Sequence, residues 1–312
     1  VSRGARLHEG ASVTAPLLDG RGRVTGVTAK VLDDAGRATG ATATYRAKVV
    51  VAADGVSSRL ATAVGRPKRE DRVMGVAVRA YYTTPRRDDY LESHLELWTT
   101  DDNGQRMLMP GYGWLFPLED GRTNVGLGIL DTSSAFGKTD YKDVLRRWAD
   151  SLGDRWELAH DPAGGPIRGA ALPMGFNRTP LYADGLLLVG DAAGMVNPFN
   201  GEGIDYALEA ARVGADVIGQ ALARPSDAGR ERVLAAYPRI MKAELGGYFT
   251  LGRWFAHAIG NPEVMRLATT YGLPRTALMR FLLKVMANLP EEHGGRFDDR
   301  LVHLMSRIAP DA

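Results

Sequence analysis

Two places in this sequence put an acid where a buried strand stops. Leu186-Leu187-Leu188-Val189 runs into Gly190-Asp191, and Val49-Val50-Val51-Ala52-Ala53 runs into Asp54-Gly55. In open α/β sheets, ligands arrive beyond the carboxyl ends of the strands. A carboxylate there can accept hydrogen bonds from the hydroxyls of a neutral polyol. After Gly190-Asp191 the spacing continues through Pro198, Gly201, Gly203 and Ala207. Pro198 and Asn200 set up a turn, and Gly201 and Gly203 keep Cβ atoms clear of it. Amides in the first turn of the helix that follows are then free to point at a ligand oxygen or a developing negative charge. Ala207, Ala210, Ala211, Gly214 and Ala215 give that helix a small-residue face, able to lie close to a strand or a flat ring. The plainer reading of either acid is a turn cap, because Asp and Gly are ordinary in such connections. The earlier site also has its own helix-capping candidate, Ser58.

A third motif is aromatic. Tyr112, Trp114 and Phe116 alternate between Pro110 and Pro117, so their rings leave one face of a strand. Such a stripe is either a sheet face packed on the core or the wall of a pocket. In a pocket, each ring can stabilise cationic character by about 0.5–2 kcal/mol. The Tyr112 hydroxyl can relay a proton, although at its usual pKa it is a weak acid. His94 is the other proton-donor candidate, against the alternative of a sheet histidine satisfied by a neighbour. No general acid is assigned.

The elements that must position these groups follow from pattern. Residues 11–19, 23–34 and 41–47 alternate as a β-meander. Residues 48–55 form a continuous apolar run, expected to be a strand buried on both faces. A helix is expected over 57–64. Residues 71–131 contain strand-like runs separated by turns, with 93–98 among them, and a helix follows near 141–152. Strands return at 166–174 and 185–191. From Gly201 the chain is helical: 203–222, 226–245, and shorter pieces broken at Pro262, Pro274 and Pro290.

The chain has 312 residues, 45% hydrophobic and 24% charged, with a formal net charge of +2. No global field argues for nucleic acid. Without cysteine, disulfides, thiolate zinc sites and a cysteine nucleophile are excluded, and no metal site is expected. No stretch reaches the length of a transmembrane helix. Between Lys242 and Lys284, six Lys/Arg stand against two acids, among aromatic residues. Such helices can lie on an anionic membrane surface; equally, they can be a cap whose apolar side packs on the core.

The Gly190–Ala207 spacing resembles the second FAD-binding motif of the flavin-dependent hydroxylase superfamily, and Asp54-Gly55 is similar to its Asp-Gly motif. Tyr112-x-Trp114-x-Phe116-Pro117, with the run Asn124–Gly128 after it, resembles the signature of the geranylgeranyl reductase family. The likeness runs over about residues 40–290 and is greatest to actinobacterial menaquinone reductases. It implies an α/β (α+β) fold: a partial FAD-binding Rossmann-like domain (1–68 and 160–222), an inserted antiparallel β-sheet substrate domain (69–159) and a C-terminal helical region (223–312). It implies FAD, with Gly190 and Asp191 at the ribityl chain and Pro198, Gly201 and Gly203 at the pyrimidine edge of the ring. Asp54 and Gly55 would lie near the pyrophosphate and ribityl region. Tyr112, Trp114 and Phe116 would line the site of an isoprenoid substrate.

The implied reaction is FAD-dependent saturation of an isoprenoid C=C bond in a polyprenyl or geranylgeranyl lipid, the menaquinone side chain above all. The partners would be an isoprenoid lipid or quinone and an electron donor: NAD(P)H, ferredoxin or a quinol. The implied setting is cytoplasmic, with peripheral contact to the inner face of the cell membrane as an option. The alternatives are an FAD-dependent aromatic or polyketide monooxygenase or halogenase, which shares both flavin motifs, and a catalytically silent lipid- or quinone-binding module. The superfamily's strand–GxGxxG–helix unit is not found, and Asp54 comes too early to leave room for it. The expectation is a chain that starts after that lobe.

Overall fold

The computed structural model describes residues 4–286 apart from 88, 101–102, 110 and 162–163. Pro110, Pro290 and positions 287–312 of the expected helical region lie outside the described residues.

The chain opens with an antiparallel meander of β1 (Ala11–Leu18), β2 (Val24–Leu32) and β3 (Ala38–Arg46). Aspartates close its turns: Asp19 Oδ1 accepts from the amides of Arg21 and Arg23, and Asp33 Oδ1 from those of Ala35 and Arg37. These side chains mimic a backbone turn and so set the hairpins locally. Next come β4 (Val50–Ala52) and α1 (Arg59–Ala63). β4 differs from expectation. Val50 and Ala52 are buried, but Val51 is 43% exposed. The strand lies at the end of a small sheet and packs on one face only.

The inserted region supplies β5 (Met74–Thr83), β6 (Glu92–His94), β7 (Leu97–Thr100), β8 (Arg106–Met109), β9 (Tyr112–Pro117) and β10 (Arg122–Leu130), then α2 (Tyr141–Ser151), α3 (Gly153–Trp156), β11 (Ala159–His160) and β12 (Arg168–Pro173). The run 93–98 is not one strand. β6 joins the large sheet, ordered β11-β5-β10-β9-β6, whereas β7 pairs β8 in a separate ribbon. β12 pairs β5 from Arg168↔Arg79 to Pro173↔Met74, so the inserted sheet continues past residue 159. One face is packed. Val144, Leu145 and Trp148 of α2 bury against Leu115, Val125, Leu127 and Ile129. A Cβ on Gly113 would come within 2.4 Å of the Trp148 ring, so that position must be bare.

The chain then returns to the small sheet of β4 with β13 (Tyr182–Ala183) and β14 (Leu186–Leu188), and β14 runs parallel to β4. The rest is helical: α4 (Ile204–Leu222), α5 (Asp227–Leu234), α6 (Tyr237–Ile259), α7 (Pro262–Leu267) and α8 (Thr276–Met286). The helix expected over 226–245 is two helices. Pro238 sits in the first turn of α6, where its missing N–H is no loss. A π-helical turn, Ala268–Gly272, joins α7 to α8. Leu186, Leu187 and Leu188 are fully buried under Val213 and Val217 of α4 and Tyr237 and Phe249 of α6. The result is the mixed α/β architecture implied by the sequence, with an antiparallel sheet inserted and helices at the C-terminal end.

Candidate functional site

Both acidic motifs emerge at one edge. β4 and β14 are adjacent and parallel, with Ala52 opposite Leu188, and the Val189 amide donates to Ala52 O at 3.1 Å. Asp54 and Asp191 therefore leave neighbouring strands at the same carboxyl end, where polar ligands bind in such sheets.

The two aspartates differ in chemistry. Asp54 is exposed and engaged: Oδ1 accepts from Ser58 Oγ at 2.7 Å and Oδ2 from the Leu60 amide at 3.3 Å. Ser58 in turn caps α1 through the Ala61 amide. The capping reading thus holds for the Asp54 side chain, while Gly55 makes the turn at φ +74°. Asp191 is half-buried, and its carboxylate accepts no hydrogen bond from the described residues. Burial raises its pKa above the ordinary carboxylate range. A carboxylate partly desolvated without a partner is stabilised by a ligand that donates hydroxyl hydrogens. Gly190, at φ +55°, brings the backbone against α4; a Cβ there would lie 3.0 Å from Ala207 Cβ. The small residue at 207 therefore lets helix and turn approach.

The turn from Asn197 to Gly203 is built by its own side chains. Asn197 Oδ1 accepts from the Phe199 amide, Asn200 Oδ1 from Glu202 and Glu202 Oε1 from Asp205, each at 2.9 Å. The Gly201 amide donates to Asn197 O and the Asn197 amide to Glu202 O. Gly201 takes φ +77°, a conformation that disfavours side chains. Pro198 is buried beside Gly175 and Gly252. Gly203 precedes α4 without a side-chain cap, and the amides of Gly203 and Ile204 have no acceptor among the described residues. They sit beside Asp191, whose Oδ1 is 3.4 Å from where a Gly203 Cβ would stand. A donor-rich helix start next to an unpartnered carboxylate fits a ligand with both acceptor and hydroxyl groups.

The aromatic motif meets this turn. Tyr112 OH donates to Asn200 O at 2.7 Å, and a Cβ on Gly201 would lie 2.8 Å from that hydroxyl. Burial pushes the Tyr112 pKa up to about 12. A proton so held, already given to a carbonyl, makes a poor acid; the hydroxyl braces the turn instead. Trp114 and Phe116 follow on the same face, the face away from α2. Their rings step outward at 6.0 Å (Tyr112 to Trp114) and 6.1 Å (Trp114 to Phe116). Opposite them on β10 stand Gly128, Gly126 and Asn124. A Cβ on Gly126 would come within 2.2 Å of the Trp114 ring, and one on Gly128 within 2.9 Å of Tyr112. The two glycines let the rings lie across β10. Trp114 Nε1 donates to Asn124 Oδ1 at 3.3 Å. His94 is on the other face, with Nε2 2.8 Å from Glu92 Oε1 and its ring 5.3 Å from that of Trp148. It is a packed sheet residue, remote from the turn.

Several contributors carry no sequence motif. Asn197 Nδ2 and Asn200 Nδ2 both donate to Met286 O, at 3.0 and 2.9 Å, and Asn197 Nδ2 also meets the hydroxyls of Tyr206 and Tyr248. The turn is thereby tied to the end of α8. Paired asparagines in a Pro-Phe turn were the available signal; their partner lies 86 to 89 residues away.

The family described as FAD binding domain matches residues 1–240. A menaquinone reductase of Mycobacterium tuberculosis is 35% identical over 242 residues, 77% of this chain and 55% of that protein. A digeranylgeranylglycerophospholipid reductase of Methanothermobacter thermautotrophicus is 32% identical over 209 residues, 64% of this chain and 47% of its own length. The chain spans about half the length of the curated relatives it matches. Among solved structures, a geranylgeranyl bacteriochlorophyll reductase-like protein from Thermoplasma acidophilum superposes with a TM-score of 0.62 at 18% identity, over 88% of this chain and 69% of that one. That likeness is one of fold.

Proposed function

This chain belongs to the FAD-binding domain family, and on that premise we propose that it serves an FAD-dependent reductase of isoprenoid C=C bonds, with the menaquinone side chain as the leading substrate. One observation carries the reading: the turn assigned here to the flavin, at Gly201, is in direct contact with the first ring of an aromatic row. The names of the similar reductases, which act on menaquinone and on a geranylgeranyl phospholipid, support the same substrate class.

The residues divide the work. The Asp191 carboxylate would hold the polyol chain of the cofactor, and the amides of Gly203 and Ile204 would stabilise the negative charge of its reduced ring. FAD, when bound and reduced, supplies the hydride. The rings of Trp114 and Phe116 exclude water from an apolar chain and stabilise cationic character at the alkene by about 0.5–2 kcal/mol each. Tyr112 holds the turn in register with that row.

A lipid substrate also calls for a membrane contact. Among the described residues no helix is long and apolar enough to cross a membrane. The α6–α8 region exposes Trp254 (55%), Tyr271 (59%) and Leu283 (58%), with Arg266, Arg275 and Arg280 nearby in sequence. We infer peripheral association of this surface with an anionic bilayer.

The test incubates the reduced full-length protein with menaquinone and with a geranylgeranyl lipid, and reads product masses. A gain of two hydrogens supports the reading. No gain on either lipid, with oxygen or halogen added to an aromatic acceptor, overturns it.

A further inference from the structure

The face of the inserted sheet away from α2 is ordered in cross-strand rows. Tyr112, Gly128, Ala77 and Ala170 form the row nearest the Gly201 turn. The next row outward is Trp114, Gly126, Arg79 and Arg168. The third is Phe116, Asn124 and Tyr81. Arg79 and Arg168 are therefore direct neighbours across β5 and β12, both on the aromatic face.

Like charges directly opposite on adjacent strands are destabilising. Here neither guanidinium has an ion-pair partner among the described residues. The Arg79 guanidinium instead lies 4.8 Å from the centre of the Tyr81 ring, which orients it along the sheet. Among the described residues the acids near this side are Asp120, taken up by Arg122 at the outer rim, and Asp161, whose amide donates to Tyr81 O and whose charge acts on Arg122. Two unpaired, adjacent forks of N–H donors suit a group rich in acceptor oxygens. With strands about 4.8 Å apart and about 3.4 Å per residue, Arg79 stands about 12 Å from Tyr112 across the sheet. An apolar chain lying over Tyr112 and Trp114 would bring its polar end to this pair.

We propose that Arg79 and Arg168 form the head-group subsite, donating to the acceptor oxygens of the lipid's polar head while its prenyl tail runs over the aromatic row to the Gly201 turn. The proposal rests on the reductase reading. Quinone carbonyls and phosphate oxygens share this acceptor chemistry, and the substrates below separate them.

The test compares wild type with Arg79→Ala and Arg168→Ala in the full-length protein. The substrates are menaquinone, a geranylgeranyl glycerophospholipid and a headless isoprenoid hydrocarbon. The expected result is that each variant lowers the preference for a headed substrate over the hydrocarbon, measured as a ratio of kcat/KM, by about tenfold, mainly through KM. Whichever headed substrate shows the drop identifies the head. An unchanged ratio for both overturns the subsite and leaves the reductase reading standing; no saturation of any lipid by wild type overturns the reductase reading. A titration with menaquinone and with the phospholipid, read by tryptophan fluorescence, judges the subsite apart from turnover. Weaker binding of either lipid in Arg79→Ala supports it, and unchanged affinity for both overturns it.

Discussion

Tyr112→Phe removes one oxygen and keeps the ring on Gly128. Its measurable consequence separates two roles for that hydroxyl. The structure gives it one partner, Asn200 O at 2.7 Å, and a pKa raised to about 12 by burial. If the hydroxyl braces the turn, the loss is one neutral hydrogen bond, about 0.5–1.5 kcal/mol. Turnover should then fall by roughly two- to tenfold, because each 1.4 kcal/mol is a factor of ten. The flavin spectrum should shift slightly, since the turn proposed to meet the flavin relaxes. If the hydroxyl delivers the proton to the alkene, turnover should fall by about 10²–10⁴ and the pH profile should lose a limb. The assay is single-turnover oxidation of the reduced, flavin-loaded full-length protein by a prenyl lipid, over a range of pH. A drop beyond about a hundredfold with an unchanged flavin spectrum would refute the bracing role.

Other outcomes follow from the same geometry. Asp191→Asn should raise the melting temperature of the flavin-free protein at neutral pH, because it removes a half-buried charge that lacks a partner among the described residues. Native Asp191 binds its proton more tightly than the unfolded chain does. Stability from this group is thus greatest below the unfolded pKa and falls as pH rises through the native one, and the Asn variant should lose that slope. The same change should weaken FAD binding by about tenfold, measured by flavin fluorescence, through loss of a charged acceptor. Gly126→Ala forces a Cβ to within 2.2 Å of the Trp114 ring and 2.8 Å of Val78 O. It should destabilise by about 1–3 kcal/mol in urea unfolding. Trp114→Ala should spare flavin binding and lower turnover of long prenyl chains; unchanged turnover would make the ring a sheet filler only.

Much of the candidate site's local geometry was legible in the chain because its signals are local. An acid after an aliphatic run, a proline and two glycines at fixed spacing, and three alternating aromatics each declare a conformation within a dozen residues. The same locality accounts for the errors. The run 48–55 reads as doubly buried from its composition, yet whether a second face is covered depends on neighbours elsewhere in the fold. Residues 93–98 read as one strand by alternation, but β6 and β7 choose different partners. The 226–245 helix reads as continuous unless Pro238 is recognised as a start.

By itself, then, the order of residues determined where strands stop, which turns require glycine and which side chains share a face, since backbone sterics and period act over a few positions. Tertiary structure alone decided that Asp54 and Asp191 leave the same sheet edge, that Asp54 is occupied by a cap while Asp191 has no partner among the described residues, and that Tyr112 closes on Gly201 from a separate sheet. It also decided that Arg79 faces Arg168. These pairings join segments tens of residues apart, and only the packing of whole elements sets which distant groups meet and which polar atoms go without a partner.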